Sequence, residues 1–295
     1  MQALIGLIKT MRPRQWTKNL LFVFPPIVFD RKLLDAEPFL HVFAAFVLLC
    51  AISGTVYIIN DLVDIESDRR HPRKRFRPVA SGKLPQSLAK TTAVILPIVT
   101  LLLAYALEPA LALILLAYLA MQILYSFWLK HIVIIDVLTI MIGFVMRVAA
   151  GVVVIDVQNF SPWLYACTGL LALFLAVGKR RQELLALGVD AENVRSTFKN
   201  YNLPLLDDML RVVTTSTLIT YILYTIEVTT EPGPNLGLIT VPFVMYGLFR
   251  YLFLIHVRGE GSAPDEVLLQ DRPLQYTLLG FGLTFFIILY FLPNT

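Results

Sequence analysis

The sequence predicts an all-α polytopic membrane protein, with about nine transmembrane helices, and three observations predict it. Of 295 residues, 57% are hydrophobic and only 16% are charged, and the charges are bunched into a few short segments. Between those segments lie about nine apolar stretches of the length that crosses ~30 Å of hydrocarbon as a helix. Finally, the stretches are continuous, whereas strands of a membrane barrel would alternate apolar and polar residues over about ten positions.

The spans fall near residues 18–33, 38–60, 88–107, 110–129, 132–155, 162–179, 210–228, 236–256 and 273–293. Pro25 and Pro26 should break or kink the first, which neighbouring helices can tolerate by re-satisfying the backbone. Lys and Arg gather before the first span (Lys9, Arg12, Arg14, Lys18) and after the second, fourth, sixth and eighth. The links around Glu108, Asp156 and Glu231 are nearly free of them. By the positive-inside rule the N-terminus and the large loops are cytoplasmic and the C-terminus lies outside. The first outer link, with Arg31 and Lys32, is the exception, though Asp30, Asp35 and Glu37 surround them.

The N-terminal MQALIGLIKTMRPRQW has too short an apolar core for a cleavable signal and reads as an amphipathic lead-in at the interface. Cys50 and Cys167 make no motif, and His41, His71, His131 and His256 lie too far apart for a zinc site. The net charge of +4 is explained by topology rather than by nucleic acid, so no nucleic-acid partner is expected. No repeat or long linker divides the chain. The expectation is a single domain over 1–295, with loops 60–87 and 179–209 capping its cytoplasmic face and a short amphipathic helix near Ala191–Tyr201. A homo-oligomer is compatible with this reading.

Chemistry concentrates in NDLVDIESDRRHPRKRFRPVASG, Asn60 to Gly82, where the second apolar run ends abruptly. If that helix continues for two more turns, Asn60, Asp61, Asp64 and Asp68 share an arc of about 100°, with Glu66 opposite. Carboxylates this close repel one another, and a helix C-terminus disfavours them further, so they require a cation. Oxygen-only ligands favour Mg2+ or Ca2+, and Mg2+ usually takes one or two carboxylates plus phosphate oxygens. Arg69, Arg70, Arg73, Lys74, Arg75 and Arg77 follow directly, so acid-then-base order suits a metal-bridged diphosphate. The plain alternative is a solvated positive-inside loop, but topology alone does not call for aspartates at i, i+3 and i+7.

Other constellations are weaker. Arg12, Arg14, Gln15, Trp16 and Lys18 form either an interfacial anchor or a grip on a lipid headgroup phosphate. Tyr125 and Lys130 end the fourth span, where a snorkelling lysine is commonplace. Asp136 and Arg147 fall inside the fifth apolar run on nearly the same face. Charges at membrane depth cost about 2.5–3.5 kcal/mol each, so they face an interior cavity or form a structural ion pair with a neighbouring helix. Lys179, Arg180, Arg181 and Glu183 close the sixth span with a second basic knot.

NDxxDxxxD at Asn60–Asp68, KRFRPxASG at Lys74–Gly82, YSFWLK at Tyr125–Lys130 and RVAAG at Arg147–Gly151 together resemble the UbiA superfamily of intramembrane prenyltransferases. The resemblance implies nine helices around a central cavity and Mg2+-bound diphosphate at two acidic motifs. Here the second motif is replaced by GKRRQEL at Gly178–Leu184. With RPRQWTKN at Arg12–Asn19, this is similar to the branch that transfers 5-phosphoribose from phosphoribosyl diphosphate (PRPP) to a polyprenyl (decaprenyl-type) phosphate, in precursor synthesis for the cell envelope.

The implied roles follow residue by residue. Asp61, Asp64 and Asp68 would be catalytic and hold Mg2+ on the diphosphate with Asn60, while Lys18, Lys74, Arg75, Arg77, Tyr125, Lys130, Arg147, Lys179 and Arg180 would bind phosphates. Arg12, Arg14, Gln15 and Lys18 would hold the lipid headgroup, and the active site would face the cytoplasm. The lipid phosphate, already an anion, would attack C1 with inversion and need no strong base. Two rivals stand beside this: a prenyltransferase joining a prenyl diphosphate to a small acceptor, and a transporter of a phosphorylated or lipidic solute.

Overall fold

The computed structural model describes residues 2–70, 74–155, 157, 161–188, 195–228, 235–259, 267 and 270–292. It is helical, with α1 Gln2–Thr10, α2 Trp16–Val23, α3 Pro25–Phe29, α4 Ala36–Val63, α5 Ile65–Arg70, α6 Gln86–Leu107, α7 Pro109–Phe127 and α8 Ile135–Val152. Then come α9 Pro162–Leu187, α10 Leu203–Val228, α11 Val241–His256 and α12 Arg272–Phe291. Among the described residues, eight helices are long and apolar enough to cross a membrane: α4, α6 to α10, α11 with its leading turn from Leu236, and α12.

The span expected over 18–33 is not one helix. It breaks at Phe24 into α2 and α3, because Pro25 and Pro26 bring no N–H to the ladder. In the link that follows, Lys32 pairs with Asp30 at 2.8 Å, which accounts for a basic residue in a link expected to carry few. The helix expected near Ala191–Tyr201 lies partly outside the described residues; Ser196–Lys199 forms a single 3-10 turn.

The chain forms two compact units, residues 1–127 with 146–158, and residues 128–145 with 159–295, so the continuous α8 belongs to both. In the first unit α4 packs against α6 and α7, around Val23, Ile27, Leu49, Ile52, Leu111, Leu115 and Ala150. In the second α9 packs along α10, and α11 along α12, around Val137, Phe174, Leu206, Leu210, Leu254 and Leu274. The outward face of α6 carries exposed Val94, Ile95, Ile98, Val99, Leu102 and Leu103. A ridge of this size is a lipid contact rather than a water-facing surface.

The glycine of RVAAG has a packing reason within the first unit. A Cβ on Gly151 would lie 2.0 Å from the carbonyl oxygen of Val23, at the break between α2 and α3. Only a residue without a side chain lets α8 approach that backbone. Gly151→Ala should therefore destabilise the protein by about 1–3 kcal/mol or more, as overpacking against rigid backbone does. Thermal unfolding in detergent checks this, with Gly247→Ala as the control, since a Cβ there would meet only Leu274 Cδ1 at 3.9 Å.

Candidate active site

The acidic cluster of the first unit is built where α4 ends. Asp64 caps α4 with φ −88° and ψ 6°, its N–H donating to Asn60 O at 2.9 Å, and the chain restarts as α5 at Ile65. This break corrects the shared face expected from an unbroken helix. Asp61 and Asp68 turn inward, 2% and 1% exposed, while Asp64 stays exposed and Asn60 half-buried. Arg77, directly after the Lys74–Phe76 turn that lets the chain fold back, reaches both buried carboxylates through one nitrogen. Its Nη1 lies 2.8 Å from Asp68 Oδ2 and 3.3 Å from Asp61 Oδ1.

A second guanidinium approaches from the N-terminal side. Arg12, held in the left-handed region at φ 53°, donates from Nη2 to Asp61 Oδ1 at 3.0 Å and lies 4.4 Å over the Tyr57 ring. Arg12 thus holds a carboxylate, whereas Arg14 and Gln15, expected with it at the lipid headgroup, are exposed and half-buried. Two buried carboxylates face two guanidiniums, which lowers the cost of removing four charges from water. One atom is left over: Asp68 Oδ1 is buried with no hydrogen-bond partner among the described residues.

The remaining basic residues of this unit are placed separately. Lys74 and Arg75 are exposed on their turn, Arg75 stacking 4.8 Å over Phe76, and Lys18 and Tyr125 are half-buried. Arg147 donates from Nε to Asn19 Oδ1 at 2.9 Å and from Nη2 to the Tyr118 hydroxyl at 2.7 Å. Asn19 in turn donates to Ser53 Oγ at 3.4 Å, so α2, α4, α7 and α8 together aim one guanidinium. Asn19 lay within a quoted motif without a role, and Tyr118 carried no signal in an apolar run.

In the second unit Asp136 is fully buried in the first turn of α8. It accepts from Arg180 Nε at 2.9 Å and from the Tyr201 hydroxyl at 2.8 Å, and Arg195 Nη1 lies 3.7 Å away. Asp136 therefore forms the structural ion pair with a neighbouring helix that was the plain alternative for it. Arg180, 4% exposed and expected as a phosphate ligand, also donates to Glu183 at 2.7 Å, so two carboxylates share its guanidinium. Lys179 is the half-buried member of the knot, 3.9 Å from Glu183, and Lys130 is half-buried on the Leu129–His131 turn.

Burial and the bond to Asp136 push the Tyr201 hydroxyl well above the usual phenol range, so it stays a neutral donor. Its oxygen accepts the N–H of Ile134 at 2.8 Å, and Ile134 sits at φ 71°, an unfavourable backbone for a β-branched residue. Tyr201 and Arg195 fell within the segment expected as a short amphipathic helix, and nothing in the sequence marked either as a neighbour of Asp136.

Among the described residues no three His, Cys, Asp or Glu side chains are gathered to hold a metal on their own. Asp61 and Asp68 are gathered as a pair, hard oxygen donors with one carboxylate oxygen unused. Such a pair fits Mg2+ when a diphosphate completes the coordination, and does not fit a closed zinc site.

An intramembrane helical protein with a buried acidic pair beside exposed cations is the class defined by fold and site. The chain belongs to the UbiA prenyltransferase family, whose family model matches residues 33–266. It is 32% identical to a decaprenyl-phosphate phosphoribosyltransferase of Corynebacterium glutamicum, covering 98% of this chain and 88% of that protein. A protein of the same name from Mycobacterium tuberculosis is 32% identical over 93% of this chain and 91% of its own. The fold matches a UbiA homologue of Archaeoglobus fulgidus, solved with DMAPP and Mg2+, with TM-score 0.69, 16% identity and coverage of 96% and 98%.

The buried ion pair of the second unit has a measurable consequence. Asp136→Ala takes from the buried Arg180 guanidinium its fully buried carboxylate and leaves it Glu183, whose side chain is 28% exposed, which should cost about 3 kcal/mol. Asp64→Ala, at an exposed position, should change stability by less than about 0.5 kcal/mol. Thermal unfolding in detergent without substrates distinguishes the two.

Proposed function

We propose that this protein transfers 5-phosphoribose from PRPP to a polyprenyl phosphate with release of pyrophosphate, and depends on Mg2+. The observation that carries the reading is the buried Asp61–Asp68 pair with a spare carboxylate oxygen, next to the exposed cations Lys74 and Arg75. The names of the relatives from C. glutamicum and M. tuberculosis support it, as does Mg2+ in the A. fulgidus structure.

Asp61 and Asp68 would hold the metal, with Asp64 and Asn60 at the rim, and Mg2+ when bound would supply charge neutralisation to the diphosphate. Lys74, Arg75 and Arg77 then bind diphosphate oxygens; in the second unit Lys130 and Lys179 are the half-buried lysines suited to phosphate. Arg180 positions Glu183 through the Asp136 pair instead of touching substrate. Arg147, aimed by Asn19 and Tyr118, and Lys18, with Tyr125, suit the acceptor's phosphate, and Arg14 and Gln15 its headgroup region. Bond making requires no protein base, because the acceptor phosphate is already anionic and pyrophosphate is the leaving group. The rate then comes from positioning and electrostatic stabilisation.

The replacement of a second acidic motif by GKRRQEL fits this donor. A prenyl diphosphate carries one anionic group, whereas PRPP carries a diphosphate at C1 and a phosphate at C5, and the acceptor adds a third. Extra cations suit three anions better than a second set of carboxylates would. The chain works as one functional domain in a cell membrane, with the active site facing the cytoplasm, where the positive-inside rule places its basic loops. The envelope precursor role rests on the donor and acceptor together.

Purified protein given labelled PRPP, decaprenyl phosphate and Mg2+ should yield a lipid-soluble phosphoribosyl product. EDTA should abolish it, and Asp61→Asn or Asp68→Asn should lower the rate by about a hundredfold or more, as loss of a group that holds developing charge does. Label that stays in the aqueous phase, with turnover of a prenyl diphosphate instead, would move the assignment to a prenyltransferase joining that lipid to a small acceptor.

A further inference from the structure

We infer that Arg77 is the resident counter-ion of the acidic pair, holding the place of the divalent cation until the diphosphate arrives and then passing its guanidinium to that diphosphate. The inference rests on the metal-diphosphate reading above. Three features distinguish Arg77 from a permanent structural partner.

First, its hold is shallow. Both contacts, 2.8 Å to Asp68 Oδ2 and 3.3 Å to Asp61 Oδ1, use the single nitrogen Nη1, so neither carboxylate receives the two-pronged grip of which a guanidinium is capable. In the second unit, by contrast, Arg250 binds Asp271 through Nε and Nη2 together, at 3.2 and 2.8 Å. Second, the bridge is incomplete, since Asp68 Oδ1 has no partner among the described residues despite being buried. A cation that accepts ligands on all sides would use that oxygen.

Third, the cation is the reachable member. The side chain of Arg77 is 27% exposed, while those of Asp61 and Asp68 are 3% and 1%. It stands three residues after Lys74, on the segment that carries the other exposed cations, so a guanidinium released from the carboxylates is already beside phosphate ligands.

Charge decides the order of events. Two carboxylates with Arg12 and Arg77 sum to zero, and a bare Mg2+ entering the site would make it doubly positive. Metal alone is therefore opposed by the guanidinium that already occupies the pair. When metal and diphosphate enter together, the anion balances the added charge and offers Arg77 a new partner, so each ligand strengthens binding of the other.

The test is calorimetric titration of detergent-solubilised protein with Mg2+, alone and with inorganic pyrophosphate. Wild type should bind Mg2+ weakly alone and about tenfold or more tightly with pyrophosphate present, a coupling of ordinary size. Arg77→Gln should bind Mg2+ alone more tightly than wild type and lose most of the gain from pyrophosphate. Arg77→Lys, which keeps the charge, should retain the wild-type order and serves if the glutamine variant does not fold. Equal or weaker binding of Mg2+ alone by Arg77→Gln, with wild type still coupled to pyrophosphate, overturns the placeholder role and leaves the metal site standing. If wild type takes up no Mg2+ even with pyrophosphate, the metal-diphosphate reading falls, and this inference with it.

Discussion

The four buried aspartates among the described residues are held by guanidinium groups, and much of the local structure follows from that constraint. Asp61 and Asp68 meet Arg12 and Arg77, Asp136 meets Arg180, and Asp271 meets Arg250. Most of the pairs join segments 21 to 49 residues apart, Asp68 and Arg77 only nine, because a charge removed from water is tolerable only when a counter-charge comes with it. Loss of one partner is costly for the same reason. The pairs therefore specify which helix ends and loops belong together, at positions where apolar packing alone would allow sliding.

The pairs differ in kind, and the difference sorts structure from function. Asp136 is enclosed by Arg180 and Tyr201, and Arg180 continues to Glu183, so that site is saturated. The Asp61–Asp68 pair is bridged by one nitrogen and keeps a buried oxygen unused. Saturated networks rigidify a fold, whereas an incomplete one marks a place where another cation can enter. Lys74 and Arg75, close by in sequence, are the exposed cations proposed for the diphosphate.

Much of the helical architecture was legible in advance, because hydrocarbon forces every backbone polar group to be satisfied within its own helix. Long apolar runs and the Pro25–Pro26 pair could be read directly, and the break at Phe24 followed from the missing N–H groups. Asp61 and Asp68 were also legible as acidic residues that need a cation. Their inequality with Asp64 was not, since it arises from a cap at Asp64 that interrupts the 100° progression assumed for a continuous helix. The carboxylate partners of Arg12 and Arg180 were not legible for a related reason: a basic residue looks alike in sequence whether it faces phosphate, lipid or a buried carboxylate.

By itself the sequence determined the membrane class, the approximate spans, the family motifs and the residue types available for a metal and phosphates. These depend on composition and local periodicity, which a chain carries wherever it folds. Only the tertiary structure decided which cations are already committed, that Arg77 bridges the aspartate pair, that Asn19 and Tyr118 aim Arg147, and that Gly151 lies against Val23. Those facts concern contacts between residues up to 128 positions apart in the chain. Nothing in local sequence specifies such a meeting, because it is the packing of whole helices that brings the two side chains within reach.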